Sequence, residues 1–310
     1  MNFFGYYVLN LEPTVLAFIG TRHPAPDWLT PTAVIEHVPW WHGRPWTMLN
    51  RKVQQVTLSL KGVEHHLMVH APDEERMRKL CGVRGAFISQ NIYVNSDVYR
   101  PLGLQKDFDA IYVAQMKPFK RHHLAARVKR LYIATAWGGD LPSFCRQVSH
   151  ATFNETRLDK SELAHMYNRS HCSLALSAVE GAMLTSYESL LCGIPVVTTA
   201  SHGGRDEFFD GSNSILVKAD ENAICEAVEC FKQHSPDPET IRAGTLARTE
   251  VHRRRFCAYV ADLIVRHGGS RITAERLYQR YFGTPGGLGA RFIWADTFDK
   301  PEQLGRVGND

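Results

Sequence analysis

Residues 177–207 read SAVEGAMLTSYESLLCGIPVVTTASHGGRDE. An apolar run ends at Ser177, a tight loop passes through Glu180-Gly181, and a helical pattern begins near Ala182. This order of strand, loop and helix is the repeating unit of parallel α/β sheets, which hold ligands beyond the carboxyl ends of their strands. A helix start offers N–H groups without intrahelical acceptors and the positive end of the helix dipole, a combination suited to a diphosphate. Glu188 falls about 12 Å beyond Glu180 at 1.5 Å per residue, roughly two turns into the helix. Carboxylates so spaced can grip different parts of one elongated ligand. They are too far apart to share one bond as acid and base.

Outward from this window, short apolar runs alternate with amphipathic segments. Strands are expected at 15–19, 33–36, 66–69 and 86–90, with helices at 47–60 and 73–80 and a stop at Gly82. Pro101 and Gly103 break the pattern, and a second series follows. Its strands are expected at 109–114, 131–135, 173–176, 195–198 and 215–217. Its helices are expected at 121–128, 160–169, 184–191 and 221–231, with a further helix at 239–267. Alternation of this kind indicates α/β architecture with parallel sheets. Three regions result: an N-terminal α/β domain at 1–103, a C-terminal α/β domain at 104–285, and an irregular Gly- and Pro-rich tail at 286–310.

The window resembles the donor-binding segment of glycosyltransferase family 4, the group 1 glycosyltransferases. That family's pattern is Glu, seven residues, Glu, then Gly-x-Pro-Val-Val and Gly-Gly-x-x-Glu. Here the elements are Glu180 and Glu188, Gly193 to Val197, and Gly203-Gly204-Arg205-Asp206-Glu207. Asp210-Gly211-Ser212-Asn213 follows where the family has Asp-Gly-x-Asn-Gly. Upstream, Glu162 to Tyr167 and Ser173 to Ser177 match the helix and strand that lead into the motif. A single Glu pair carries little information; the ordered series over about 60 residues carries much more.

The resemblance implies the GT-B fold, two Rossmann-like parallel-sheet domains facing a cleft, with the N-terminal domain abbreviated here. It implies that Glu180 bonds hydroxyls of the donor sugar and Glu188 those of the ribose. Gly181, Ala182, Met183, Leu184 and Thr185 would then present backbone to the phosphates. Lys120 matches a family lysine, whereas Gln115 stands where the family has an arginine that neutralises the leaving diphosphate. Lys117 and Arg121 are the candidates to replace it. The family also places a histidine from the N-terminal domain near the reacting carbon. His23 and His37 are candidates for that role, and each is equally well a structural histidine. The implied activity is transfer of a sugar from a UDP-, GDP- or ADP-linked donor to an acceptor hydroxyl with retention of configuration. No metal and no separate cofactor is expected. Two other readings stay open: a nucleotide-sugar-binding protein with little turnover, and a sugar-nucleotide epimerase.

Bulk properties bound the partners. The formal charge of +4 fits an anionic small ligand or an acidic membrane surface and is too weak to imply nucleic acid. The acceptor is left open as a glycan, a lipid or a small molecule. Peripheral membrane contact and self-association are left open too. The seven cysteines are scattered without a Cys-x-x-Cys pair, which points to reduced thiols in a cytoplasmic protein. No His/Glu cluster at ligand spacing marks a metal site. The Trp40-Trp41-x4-Trp46 cluster has two readings, an aromatic acceptor surface or core packing. The run His252 to Arg255 reads as a solvated helix face.

Overall fold

The computed structural model describes residues 5–20, 30–135, 141–283, 288 and 292–294. They fall into two compact units, Met1–Tyr93 with Thr249–Asp310, and Val94–Arg248.

The first unit opens with β1 (Gly5–Asn10), β2 (Val15–Ile19), β3 (Ala33–His37), α1 (Pro45–Ser59), β4 (Glu64–Val69), α2 (Pro72–Leu80) and β5 (Gly85–Phe87). β3 is buried along its whole length, as its run of Ala33, Val34 and Ile35 requires. Glu36 in the same strand is fully buried; its charge is balanced by Arg51 at 3.1 Å, and His65 Nε2 lies within hydrogen-bond distance at 2.8 Å. In α2, Pro72 stands at the start, three acidic residues fill the first turn, and Arg78 and Lys79 fill the last. Each placement suits the orphan N–H groups and the helix dipole.

The second unit contains β6 (Phe108–Val113), β7 (Leu131–Ala134), β8 (Thr152–Phe153), α3 (Lys160–Asn168), β9 (Ser170–Ala175), α4 (Leu184–Leu191), β10 (Val196–Thr199), β11 (Ser214–Val217) and α5 (Glu221–Gln233). The strand order is β11-β10-β9-β6-β7-β8, and every pair is parallel. α3 starts on a reciprocal capping box of Asp159 and Glu162, and Asp220 caps α5. Ile224, Ala227, Val228 and Phe231 of α5 pack on one face of this sheet, as their helical spacing predicts.

α6 (Pro238–Arg266), α7 (Ala274–Phe282) and β12 (Phe292–Trp294) complete the chain. In the first unit the strand order is β12-β1-β2-β3-β4-β5. β2 to β5 are parallel, and β1 and β12 are antiparallel additions at one edge.

Several expectations change. Residues 249–285, which the sequence reading assigns to the C-terminal domain, group with the first unit. The reason is hydrophobic: Phe256, Val260, Leu263, Ile264, Leu277 and Tyr281 bury against Leu9, Val15, Ala17 and Ile35. The tail expected to be irregular supplies β12. The expected helix at 121–128 is instead two short 3-10 turns, Pro118–Lys120 and His122–Ala125, separated by Arg121 at φ 53°. A left-handed non-glycine residue interrupts an α-helix at that point.

Four histidines of this unit, His37, His65, His66 and His70, are buried. Burial pushes His70 down to about 4, while its Nε2 lies 2.8 Å from the Val38 carbonyl. A histidine whose folded value lies below its unfolded value takes up its proton more readily when unfolded. Stability is therefore present above about 6.5 and is lost as pH falls from there towards 4. Chemical denaturation at pH 7.5 and pH 5 is expected to show a lower midpoint at pH 5. His70→Gln is expected to shrink that difference; an unchanged difference contradicts the assignment.

Candidate functional site

The site is built where β9 and β10 end side by side. Arg205 is buried at 1% exposure and spans the gap. Its Nη1 donates to the carbonyls of Ala175 at 2.9 Å and Ser177 at 2.7 Å, its Nη2 to the carbonyl of Thr199, and its Nε to Asp206 at 2.6 Å. Arg121 reaches the same strand ends. Its Nε donates to the Leu176 carbonyl at 2.5 Å and its Nη2 to Thr199 Oγ1 at 2.7 Å. Arg121's left-handed conformation costs about 1 kcal/mol, which these bonds offset.

The loop after β9 is fixed at its backbone. Glu180 N–H donates to the His202 carbonyl at 3.0 Å, and His202 N–H to the Ala178 carbonyl at 2.9 Å. Gly203 between these turns has φ 104° and ψ −169°, a region essentially closed to residues with a Cβ. Held this way, Glu180 is 6% exposed. Its Oε1 accepts from Ser177 Oγ at 2.5 Å and pairs with Lys120 Nζ. Lys120 is in turn positioned by its own carbonyl, which accepts from Tyr112 OH at 2.5 Å. Lys120 and Glu180, chosen separately from the sequence, thus meet at one point.

Gly181, Ala182 and Met183 are extended or bent rather than helical, so α4 begins at Leu184 and Glu188 lies just over one turn inside it, not two. Met183 turns its side chain into the apolar cluster with Tyr187 and Leu190. No side chain caps α4. Gly181, Ala182 and Met183 are buried, whereas Leu184 is exposed and Thr185 half-buried, so the open part of the helix mouth is its first turn. Thr185 Oγ1 has no hydrogen-bond partner there.

Glu188 is half-buried, and its Oε2 accepts from Tyr167 OH at 3.3 Å. Removal from water pushes its carboxyl up to about 7, against hydrogen bonds from Tyr99 and Tyr167 that pull it down. Gly193 ends α4 at φ 71°; a Cβ there would sit 2.5 Å from the Cβ of Pro238, so glycine is required for both torsion and space.

The remaining candidates separate. Lys117 is exposed and Gln115 half-buried. Arg121, expected as a substitute for the missing arginine, spends its guanidinium on Leu176 and Thr199. His37 is fully buried, with Nε2 3.0 Å from Tyr93 OH and its ring stacked on His70 at 5.8 Å. Its surroundings are those of a packed core histidine. His23 lies outside the described residues. Among the described residues no group of three or more His, Cys, Asp or Glu is gathered as for a metal ion. Arg205 is the residue that sequence reasoning missed. The quoted Gly-Gly-x-x-Glu element treats it as a variable position, and its burial depends on strand ends brought together by the fold.

Residues 147–243, about a third of the chain, match the sequence model of the family described as glycosyl transferases group 1. No curated protein matched the sequence. Among solved structures, TarM is 12% identical over 74% of this chain, with a TM-score of 0.53; this chain spans 50% of TarM's length. HepE from Anabaena, solved with UDP, is 13% identical over 74% of this chain and 72% of its own, with a TM-score of 0.57. HepE solved with UDP-glucose gives 12% identity, the same coverage and a TM-score of 0.56. At such identities the likeness shows the fold, two parallel-sheet α/β domains of the GT-B class.

Replacing Arg205 by Lys removes a fork that one ammonium group cannot reproduce and leaves buried carbonyls without donors. A loss of about 2–4 kcal/mol in unfolding free energy is expected. Denaturant titration checks this, and a loss under about 0.5 kcal/mol contradicts the bridging role.

Proposed function

We propose that the chain transfers a sugar from a nucleoside-diphosphate sugar to an acceptor hydroxyl, with retention of anomeric configuration and without a metal ion. The observation that carries this reading is the pairing of Lys120 with Glu180 beside the uncapped start of α4, with Glu188 one turn further in. The first-turn N–H groups of α4 and the Lys120 ammonium receive the diphosphate and stabilise the charge that grows on it as the sugar–oxygen bond breaks. Glu180, displaced from Lys120 or sharing it, accepts from sugar hydroxyls. Glu188 accepts from the ribose hydroxyls. The acceptor oxygen attacks the anomeric carbon on the face the diphosphate leaves, and the departing phosphate takes the acceptor's proton. A UDP-linked donor is the first choice, because HepE of the same fold was solved with UDP-glucose. The acceptor is a glycan, lipid or small-molecule hydroxyl.

A second reading, nucleotide-sugar binding with little turnover, draws support from Gln115 and from the engagement of Arg121 with Leu176 and Thr199. With neither side chain free to neutralise the diphosphate, Lys120 carries that charge with the helix start alone. The two readings part in one experiment: incubation with radiolabelled UDP-, GDP- and ADP-sugars, following nucleotide release and sugar transfer. Turnover that falls about 10²–10³-fold in Lys120→Ala supports transfer. Tight nucleotide-sugar binding without release or transfer supports the second reading, and no binding of any nucleotide sugar sinks both.

Glu188 supplies a pH signature. The ribose hydroxyls donate to a carboxylate, and a group near 7 loses that form as pH falls. Nucleotide affinity is expected to rise from pH 6 to pH 8 and to flatten in Glu188→Gln. Calorimetric titration across that range checks it, and a slope that survives in Glu188→Gln contradicts the assignment.

A further inference from the structure

Helix α1 is turned the opposite way from a helix that packs a core. Its buried positions are Met48, Arg51 and Gln55. Arg51 pairs with Glu36 at 3.1 Å. Gln55 Nε2 donates to the Arg84 carbonyl at 2.8 Å, and Gln55 Oε1 accepts from Arg84 N–H at 2.8 Å. Of the three, Met48 joins an apolar cluster, with Val38, Leu67, Val69 and Val83. The polar side of α1 is therefore satisfied inside the unit.

The outward side carries an apolar stripe, flanked by exposed Asn50, Thr57 and Ser59. Trp46, Leu49, Val53 and Val56 are 58%, 53%, 64% and 51% exposed, and Leu60, just past the helix end, is 84% exposed. Their spacing of three and four places them on one face. Single exposed apolar residues are ordinary. A stripe of five, on a helix whose buried positions include Arg51 and Gln55, marks an interaction surface.

Charge identifies the partner. Residues 43–63 contain no Asp or Glu and carry Arg44, Arg51, Lys52 and Lys61. Arg51 is used by Glu36, and Lys52 donates to the Gly82 carbonyl at 2.6 Å. Arg44 and Lys61 are exposed at the two ends of the stripe. The Arg44 guanidinium lies 5.3 Å from the ring centre of Trp46, a pairing of cation and indole suited to the headgroup level of a bilayer. The acidic residues at the start of neighbouring α2 have other partners. Asp73 accepts from Trp41 Nε1 at 2.9 Å, Glu74 from the His42 and His70 N–H groups, and Glu75 pairs with Arg78 and Lys79. A second copy of α1 would offer the same cations and no acid to meet them.

We propose that the outward face of α1 docks on an anionic phospholipid surface, with the Trp46-to-Leu60 stripe at the acyl boundary and Arg44 and Lys61 against the phosphates. Fifteen residues extend about 22 Å along such a surface. Among the described residues no helix is long and apolar enough to cross a membrane, so the contact is peripheral. This contact is independent of donor binding in the second unit, and nucleotide-sugar binding in solution is not expected to change with it.

Sedimentation of the full chain with phosphatidylcholine vesicles, with and without phosphatidylglycerol, tests the proposal. Wild type is expected to bind the phosphatidylglycerol vesicles and to lose binding in high salt. Leu49→Glu with Val53→Glu is expected to weaken binding at least about tenfold, the milder Val53→Gln less, and Lys61→Glu roughly fivefold. All three sites are exposed, so denaturation midpoints should stay close to wild type. The proposal is overturned if wild type does not bind the vesicles, or if stably folded variants bind as wild type does. Concentration-dependent dimers that disappear in the same variants, without vesicle binding, overturn it in favour of self-association.

Discussion

A buried guanidinium holds the second unit's site together. β9 and β10 end at Ala175 and Thr199, and the residues at and just past these ends, Ala175, Leu176, Ser177 and Thr199, are buried. Arg205 supplies donors to three of their carbonyls, and Arg121 to a fourth together with a threonine hydroxyl. With them, the loop from 176 to 183 can leave the sheet, present Glu180 beside Lys120, and start α4 without a capping side chain. The backbone conformation at Gly203 and the left-handed Arg121 are parts of the same constraint.

The electrostatics of the site follow from this placement. One cation and one carboxylate face each other at the helix start, and a second carboxylate sits one turn deeper among tyrosines. The Lys120–Glu180 pair is nearly withdrawn from solvent, so its mutual attraction is less screened than at the surface. Glu188 has no such cation in hydrogen-bond contact. Its carboxyl is pushed up to about 7 by burial, and the hydroxyls of Tyr99 and Tyr167 soften that rise. The two acidic residues thus sit in different surroundings, as the proposed division of one ligand between them requires.

Much of this was legible in the sequence because it is local. The expected helix at 184–191 coincides with α4 and the expected strand at 15–19 with β2, although the helical pattern itself reads as beginning near Ala182; the other expected strands lie within a few residues of β3 to β7 and β9 to β11, and β8 has no counterpart among them. Capping residues, glycine stops and apolar periodicity act over a few residues, so they can be read from a single chain. What was missed is long-range. β12 is an edge strand fixed by antiparallel pairing with β1, nearly 290 residues earlier in the chain at Gly5↔Trp294, and β1 lies between β12 and β2. α7 carries buried Leu277 and Tyr281 at helical spacing, a signal that was present but unused. Arg205 looks like a surface arginine until the strand ends it bridges are known. The helical character of α1 is legible in the sequence, but which face it buries is not, because Arg51 and Gln55 face inward through Glu36 and the Arg84 backbone. His37 was a catalytic candidate by position; the neighbours that bury it come from residues 70, 93 and 256.

The central claim is that the first turn of α4 and Lys120 receive a diphosphate. A crystal structure of the chain with UDP tests it most directly. The account expects diphosphate oxygens within hydrogen-bond distance of the Leu184 and Thr185 N–H groups and of Lys120 Nζ, with the ribose on Glu188. A nucleotide bound elsewhere, with α4's first turn covered by protein side chains, would contradict it.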